Sequence, residues 1–566
     1  IKGLGGYHLA CDALNVEAVQ RLRQRKHREA KPFALMVPDL ETARLLCEVS
    51  DAEAALLQSH RRPIVLIKRY ADCLIAPAVA PFQNSLGLML PSTPLHYVLL
   101  DMFASTIGVG TSPTVDRLVV LVMTSGNVSN EPIVYRDDDA QQRLASITDS
   151  MLTHNRAIHM RCDDSVIRVA AGGEQFFRRA RGYTPEPVLL AAELPTSLLA
   201  CGGHLKNTFC LGKGRQAFVS HHIGDLENLE TLTSFREGIE HFQRLFDIYP
   251  QAIAYDLHPE YLATKYALDT DIPHKIGVQH HHAHIASVLA EHGISGPVIG
   301  IAADGTGYGT DGAVWGCEIL AADLTGFERL AHLTYVPLPG GEQAVRQPWR
   351  MAATYLAQVY GDAFQELDIP FVHQLDHSKW RALSQMAARG LNSPLTSSLG
   401  RLFDAVAALI GLRNEVLYEG QAAIELEMVA VKSDQTQHYP FAMQRQEGKP
   451  VTLDVAPTIR ALVNDIQRGL PSSQIASNFH CTIAELLLVA SVEARERTGL
   501  NSVALSGGVF QNRLLLETLI SRLEEMQFQV FINRRVPPND GGISLGQLAI
   551  AAARLRTNTD VVNAGL

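Results

Sequence analysis

Residues 297–320 read PVIGIAADGTGYGTDGAVWGCEIL: an apolar strand, a glycine-rich hairpin and a second apolar strand. Apolar, β-branched flanks argue for strands, and Gly305, Gly307 and Gly309 mark the turn between them. Residues 198–220, LLACGGHLKNTFCLGKGRQAFVS, repeat the design as two or three strands joined by glycine turns. Helical stretches follow each hairpin. The segment from 198 onward therefore reads as a duplicated α/β unit, with lobes at 198–300 and 301–566. Within the second lobe, residues 503–525 (VALSGGVFQNRLLLETLISRLEE) give a strand, a glycine turn and a long helix. Residues 539–555 (NDGGISLGQLAIAAARL) open another helix, which either Asn539 or Asp540 can cap.

Upstream, residues 1–186 mix helical stretches with short apolar strands such as 62–70 (RPIVLIKRY) and 118–127 (LVVLVMTSGN). The run 183–197, YTPEPVLLAAELPTS, holds three prolines, which remove backbone donors and disfavour helix at the preceding residue. The expected division is 1–186, a linker at 187–197, and 198–566.

A hydrophobic share of 46% and a charged share of 19% suit a globular chain with large cores. The net charge of -10 gives no global positive field to attract nucleic acid. The eight cysteines are scattered without a C-x-x-C pair, which argues against a disulfide framework or zinc ribbon and for a reducing cytoplasm. No uninterrupted apolar run approaches the roughly 18 residues that span a bilayer. No signal-peptide pattern opens the chain, so neither a membrane nor a nucleic-acid partner is expected. Ile1 begins a segment that already reads as a strand running into a turn, so the sequence is expected to be a fragment lacking an upstream part.

The chemistry concentrates in Gly277–His284, GVQHHHAH, where four of five successive residues are histidine. A lone histidine is ordinarily a hydrogen-bonded core residue, whereas a cluster with carboxylates is the pattern of a metal site. Residues 281–292 read as helix, with Ala283, Ala286, Leu289 and Ala290 suiting burial. His280 and His284 at i, i+4 share a helix face, and so do His281 and His284 at i, i+3, so spacing leaves the pair open. Asp304 at a strand end and Asp540 before a helix complete a set of two histidines and two aspartates. Such a set suits zinc or ferrous iron equally and leaves room for a substrate oxygen.

Two further groups suit anions. Gly507 and Gly508, after Ser506, let the backbone approach a nucleotide closely, and Lys206 follows Gly202-Gly203 with a positive charge. In the first domain, RKHREAKPFALM (25–36), TSGNVSNEP (124–132), HNRAIHMRCDDSVIR (154–168) and RRARGYTP (178–185) combine cations with hydroxyl and amide groups. That mixture suits a triphosphate or a small acyl phosphate. The glycine turns around a duplicated α/β core resemble the actin-like ATPase superfamily, in which nucleotide sits between two lobes.

KGLGGYHLACDA (2–13), RKHREAKPFALM, TSGNVSNEP and HNRAIHMRCDDSV resemble the YrdC-like domain of the HypF family, the carbamoyltransferases of nickel–iron hydrogenase maturation. LKNTFCL, SHHIGDL, DLHPEY, VQHHHAH, DGTGYGTDGAVWG, SSLGRLFDAVAAL, YEGQAAIELE, LSGGVFQNR and NDGGISLG resemble that family's C-terminal actin-like carbamoyltransferase domain. The resemblance spans essentially the whole chain. It implies an α/β protein in which a twisted YrdC-like domain precedes a duplicated actin-like (ASKHA) ATPase-fold domain.

The resemblance also implies two-stage chemistry. Carbamate derived from carbamoyl phosphate condenses with ATP, used with Mg2+, to give carbamoyl-adenylate and pyrophosphate. The carbamoyl group then passes to the C-terminal cysteine of the partner HypE, and becomes a cyanide ligand of iron. By motif, His280, His284, Asp304 and Asp540 match the metal ligands, and His280, His284 and Lys206 the catalytic groups. Gly507, Gly508 and Asn512 match the adenosine-binding turn, with Asp404 and Glu419 near the ribose. Lys26, Arg28, Lys31, Ser125, Asn127 and Arg161 are the nucleotide and carbamoyl candidates of the first domain. A closed passage between the domains is expected, because carbamate is lost in water. The family's acylphosphatase-like and zinc-finger-like upstream parts are missing here, so carbamoyl phosphate itself is expected to be used poorly.

Three other readings compete. A small-molecule O-carbamoyltransferase joins the same domain types, usually in the reverse order. A tRNA threonylcarbamoylation enzyme uses relatives of both, but the net charge of -10 and the fusion count against it. A non-catalytic nucleotide-regulated scaffold leaves the His/Asp constellation without a role.

Overall fold

The apolar runs assemble into three sheets in the computed structural model of the chain, which describes residues 1–108, 118–127, 131–431 and 437–564. The first domain is built on seven strands in the order His8–Asp12, Leu121–Ser125, Ala34–Met36, Ser85–Met89, Ile64–Lys68, Val166–Ala170, Gly173–Arg178. Successive side chains of a strand point to opposite faces. Val122 accordingly enters the core built by Val19, Leu22 and Leu57, while Met123 packs with Met36, Met89 and Leu100 on the other side.

The second sheet contains β1 (Leu198–Ala200), β2 (Cys210–Lys213), β3 (Gln216–Val219), β4 (Ala252–Asp256) and β5 (His274–Val278), in the order β5-β4-β1-β2-β3. The third contains β6 (Val298–Tyr308), β7 (Val314–Ala322), β8 (Phe327–Leu333), β9 (Ser502–Ser506) and β10 (Gln529–Ile532), in the order β8-β7-β6-β9-β10. Each is an antiparallel meander of three strands with two parallel strands laid beside the first. The duplication inferred from the two hairpins is thus one shared topology used twice.

Two boundaries differ from the sequence expectation. Within the expected linker at 187–197, Val188–Leu189 forms an edge strand antiparallel to β3. The backbone amides of Leu190 and Leu194 donate to Arg215 and Gly214, and Val188, Leu190 and Leu194 enter the first lobe's core. The prolines break helix there, but the apolar residues between them still have a sheet edge to cover. The second lobe also does not run to 566. Helix α2 (Ile543–Ala564) returns to the first lobe, where Ile543 and Leu548 pack with Leu198, Ala200 and Val219.

Helix α1 (His280–His292) lies between the lobes and is buried on every face from His280 to Ala290. Ala283, Ala286 and Ala290 pack into the core shared with α2, and Ile285, Val288 and Leu289 pack against β6 and β7. Gln279 caps its start by accepting from the His282 amide, and Gly293 ends it in the left-handed region. The helix Ser472–Thr498 is long and apolar enough to cross a membrane by length and composition, which a search for uninterrupted apolar runs overlooks. Here it is a core helix whose Ile475, Phe479, Ile483 and Leu487 are buried under the third sheet's cluster.

The first domain is docked against both lobes. Arg534 donates to Ala170 and Glu174 carbonyls, Gln175 to the Phe510 carbonyl, Asn539 to the Phe177 carbonyl and Arg179 to the Val219 carbonyl.

Helices α1 and α2 approach closely at Gly546, where a Cβ would stand 1.9 Å from the Ala283 carbonyl oxygen. Overpacking of this kind costs about 1–3 kcal/mol, because backbone must move. Gly546→Ala is therefore expected to lower the denaturation free energy by about 2 kcal/mol and to disturb the His280–His284 face of α1 nearby, read by urea unfolding and zinc titration on the same variant.

Candidate active site

The strand ends and helix starts at the lobe boundary bring four buried side chains together. His280 and His284 project from the first two turns of α1, Asp304 lies on β6, and Asp540 lies in the short 3-10 turn that leads into α2. One ligand atom from each lies within 4.8 Å of the others. His280 Nε2 is 3.4 Å from Asp304 Oδ2 and 3.8 Å from Asp540 Oδ1, and His284 Nε2 is 3.6 and 3.9 Å from the same atoms. Ligands at about 2.0–2.2 Å around one tetrahedral ion stand roughly 3.4 Å apart, so the spacing fits a first-row divalent cation. Among the described residues neither Nε2 has a hydrogen-bond partner, although both are buried. An unpartnered ring nitrogen is costly in a core, and one cation could satisfy both.

Further residues fix this geometry. Asp256, at the end of β4, accepts from His280 Nδ1 at 2.7 Å, which turns the Nε2 lone pair toward the carboxylates. The Gly508 amide donates to Asp304 Oδ1 at 3.0 Å. Gly507 has φ of 109°, and a Cβ there would meet the Ala303 carbonyl oxygen at 2.1 Å, so the turn requires glycine to bring that amide close. Gly307 faces the His280 and His281 rings, where a Cβ would lie 2.6 and 2.5 Å from them. Asn539 caps the 3-10 turn, leaving the Asp540 carboxyl for the site.

The electrostatics are those of a site waiting for positive charge. Burial, with Asp304 adding, pushes the Asp540 carboxyl up to about 8. Burial acts against ionised Asp304 as well, but His280 and His284 outweigh it and hold that carboxyl well below its ordinary range. Burial likewise disfavours charged His280, yet Asp256, Asp304 and Asp540 raise it well above the usual imidazole value. His284 is lowered, burial being the main cause.

The structure resolves what spacing left open. His281 turns away, its Nδ1 3.2 Å from the Gln279 amide and its ring beside Trp315, and His282 bonds the Asp323 carbonyl. Lys206 pairs with Glu419, and its amide donates to Asp225. Burial disfavours the Lys206 charge, but Glu419 and Asp225 more than offset this and raise its pKa. Asp404 is buried against Arg401 at 2.7 Å, beside Gly305. Asn512 caps the helix Arg513–Glu525 and lies 2.8 Å from His480 Nε2.

In the first domain, Lys26, Ser125 and Asn127 form one cluster. Lys26 Nζ donates to the Asn127 carbonyl at 2.9 Å, and Ser125 Oγ donates to Asn127 Oδ1 at 2.9 Å. Residues 128–130 of the TSGNVSNEP motif lie outside the described residues. Burial, then Arg28, lowers Lys26 to about 7. Arg28 staples its own loop through the Pro32 carbonyl at 2.7 Å. Lys31 sits at the domain boundary, where it senses Arg178 of its own domain and Asp225 and Lys206 of the first lobe. Burial, then Arg28 and Arg178, lowers Lys31 to about 8. Arg161 lies apart, in a cavity of about 210 Å³ between the first domain and the helix Leu229–Phe246, 3.9 Å from Glu237.

Sequence reasoning missed Asp256, Arg401 and the stacked rings His204, Tyr261 and His258 beside the site. The signal for Asp256 was its place: a carboxylate at the C-terminal end of a parallel strand, where α/β sites gather.

Family models match three stretches: "Telomere recombination" over residues 1–180, "HypF Kae1-like domain" over 193–291, and "Carbamoyltransferase, Kae1-like Domain, second subdomain" over 300–547. Carbamoyltransferase HypF2 of Cupriavidus necator is 43% identical, over 98% of this chain and 71% of its own length. Carbamoyltransferase HypF of Synechocystis is 40% identical, over 97% and 70%. A crystal structure of full-length HypF in a phosphate- and nucleotide-bound form superposes with a TM-score of 0.92 at 46% identity, covering 98% of this chain and 70% of that one.

Asp256→Asn is expected to weaken zinc binding by about 10- to 100-fold while the melting temperature stays within a few degrees, measured by competition with a chromophoric chelator. Wild-type affinity in that variant would remove the orienting role given to Asp256.

Proposed function

The chain belongs to the HypF family of carbamoyltransferases, and from that premise we propose that it activates carbamate with ATP in the first domain and passes the carbamoyl group to the C-terminal cysteine of HypE in the second. The observation that carries the reading is the buried His280–His284–Asp304–Asp540 quartet at the lobe boundary. It lies in the same chain as a separate lysine–amide cluster, in the first domain, suited to a triphosphate.

In the first stage a carbamate oxygen attacks the α-phosphorus of ATP, supplied with Mg2+. The new O–P bond forms as the bond to pyrophosphate breaks, and pyrophosphate leaves with the electron pair. Lys26, Arg28 and Lys31 offset the charge of the approaching anions and of the leaving group. In the second stage the thiolate of the acceptor cysteine attacks the carbonyl carbon, the C–S bond forms, and AMP departs with the former ester oxygen. His280, His284, Asp304 and Asp540 would hold a divalent ion, zinc or ferrous iron by ligand type, and such an ion would supply Lewis-acid polarisation of a substrate oxygen. Asp256 keeps His280 in the tautomer that leaves Nε2 free. Lys206, held by Glu419, places a cation beside Asp540. The thiolate comes from the partner: Cys201, Cys210 and Cys317 are fully buried, and burial raises each thiol. Lys31 and Lys206 face one another's domain across the boundary, which supports an enclosed passage for the intermediate. Eight free cysteines fit the reducing cytoplasm that we assign as its compartment.

The two stages separate by mutation. Lys26→Met is expected to abolish carbamate-dependent AMP and pyrophosphate release. His284→Ala is expected to keep pyrophosphate release but to remove the added carbamoyl mass from the C-terminal HypE peptide, read by mass spectrometry. Unchanged HypE modification by His284→Ala would overturn the role of the quartet.

A further inference from the structure

The cavity that holds Arg161 serves neither stage of the proposed reaction. Tyr135, Arg136 and Arg161 of the first domain form one wall. Ser234, Glu237 and Arg244, spaced to share one face of the helix Leu229–Phe246, form the other. None of these residues belongs to the Lys26 cluster or to the His/Asp quartet. The volume of about 210 Å³ far exceeds the roughly 15 Å³ that one water needs. It stays below the roughly 300–1,000 Å³ of ordinary ligand clefts, which favours a small ion over a nucleotide or a peptide.

The charges in this cavity are unbalanced. Three guanidiniums line it against one carboxylate, that of Glu237. Arg136 Nη2 is 3.5 Å and Arg161 Nη2 is 3.9 Å from Glu237, both longer than the roughly 2.7–2.9 Å of a charge-assisted hydrogen bond. Among the described residues Arg161 makes no hydrogen bond, although its side chain is only 15% exposed. Arg244 makes neither a hydrogen bond nor an ion pair among them. Arg136 and Arg161 both lie over the Tyr135 ring, at 5.3 and 5.7 Å, which keeps the two guanidiniums together. Ser234 lines the same cavity at 2% exposure, and its Oγ has no partner among the described residues. A helical hydroxyl can return to the carbonyl four residues back, as Thr233 beside it does with Leu229. Ser234 does not, so its hydroxyl is left to donate elsewhere.

A half-buried guanidinium without an acceptor, beside a buried hydroxyl without a partner, suits an anion with several oxygens. Glu237 alone does not come close enough to fill that role. A tetrahedral oxyanion presents acceptors in several directions and takes donors from both walls at once. We propose that this cavity binds a phosphate-class dianion, inorganic phosphate or pyrophosphate, with Arg161 and Ser234 at its floor and Arg136 and Arg244 at its rim. The bound anion ties the first domain to the first lobe, because its donors come from both. The site lies outside both proposed reaction centres, so it stands or falls separately from the two-stage reading.

The test is calorimetric titration of inorganic phosphate, and separately of pyrophosphate, into the full chain saturated with α,β-methylene-ATP. That analogue fills the nucleotide sites and resists cleavage between its α- and β-phosphorus atoms. One further equivalent of anion is expected to bind, and the tighter of the two identifies the source. Arg161→Gln is expected to weaken it about tenfold or more, and Ser234→Ala and Arg244→Gln less. Glu237→Gln removes the competing carboxylate and is expected to tighten binding about threefold, a gain that a merely structural ion pair would not give. If Arg161→Gln does not fold, Arg244→Gln and Glu237→Gln carry the test, since both side chains reach solvent. No phosphate or pyrophosphate binding up to millimolar concentration would overturn the site. So would wild-type affinity in all these variants, or weaker binding by Glu237→Gln. Arg161-dependent binding of a hexaglutamate peptide, with no response to either anion, would overturn it too and make the cavity a docking point for an acidic partner.

Discussion

Everything in the second module turns on putting two carboxylates and two imidazoles into one buried space. Without a cation, the Asp304 and Asp540 carboxyls compete for a single favourable charge state: one is held ionised by the histidines and the other is driven up to about 8. A divalent ion lets both ionise and pairs the two orphaned Nε2 atoms. The surrounding architecture is arranged to keep those four groups from relaxing away from one another. Asp256 fixes one ring, the Gly508 amide fixes one carboxylate, and Asn539 absorbs the capping demand that would otherwise engage Asp540.

Such a site can be built only if backbone approaches backbone closely. Helix α1 is buried all round, so α2 and β6 must meet it without large side chains between. Gly546 lets α2 touch the Ala283 carbonyl, and Gly307 lets β6 pass under the histidine rings. Ala283, Ala286 and Ala290 present a small-residue face to the core shared with α2. The carboxylates therefore arrive on a sheet strand and on the short turn that opens α2, with the ligand atoms within 4.8 Å of one another.

The first domain gathers buried cations instead. Burial and then Arg28 lower Lys26 and Lys31, and burial and then Arg178 and Arg23 lower Arg28, so each keeps its charge best when an anion is present. Docking through Arg534, Gln175 and Asn539 sets Lys31 against Asp225 and Lys206 of the first lobe. Charged groups of both modules thus border one boundary.

The sequence by itself determined the periodic elements, because alternation and glycine turns are local. It gave the two hairpins, the helix at 281–292 and the strand-to-helix turn after Ser506, and the motif order carried the family. It also placed Asp304 and Asp540 in the argument, since a carboxylate at a strand end or before a helix is visible in one dimension. The motif singled out His280 where spacing could not, and the tertiary structure gives the physical reason: His280 faces the carboxylates while His281 turns toward Gln279 and Trp315. Only the tertiary structure showed that Val188–Leu189 finishes a sheet and that α2 crosses back to the first lobe, because an edge strand and a docking surface are defined by distant partners. Asp256, 24 residues before His280 in the chain, and the His8–Asp164 pair, 156 apart, lie in family-like motifs, yet no local pattern marks which partner each takes. Their roles come from hydrogen bonds that exist only once the chain has closed on itself.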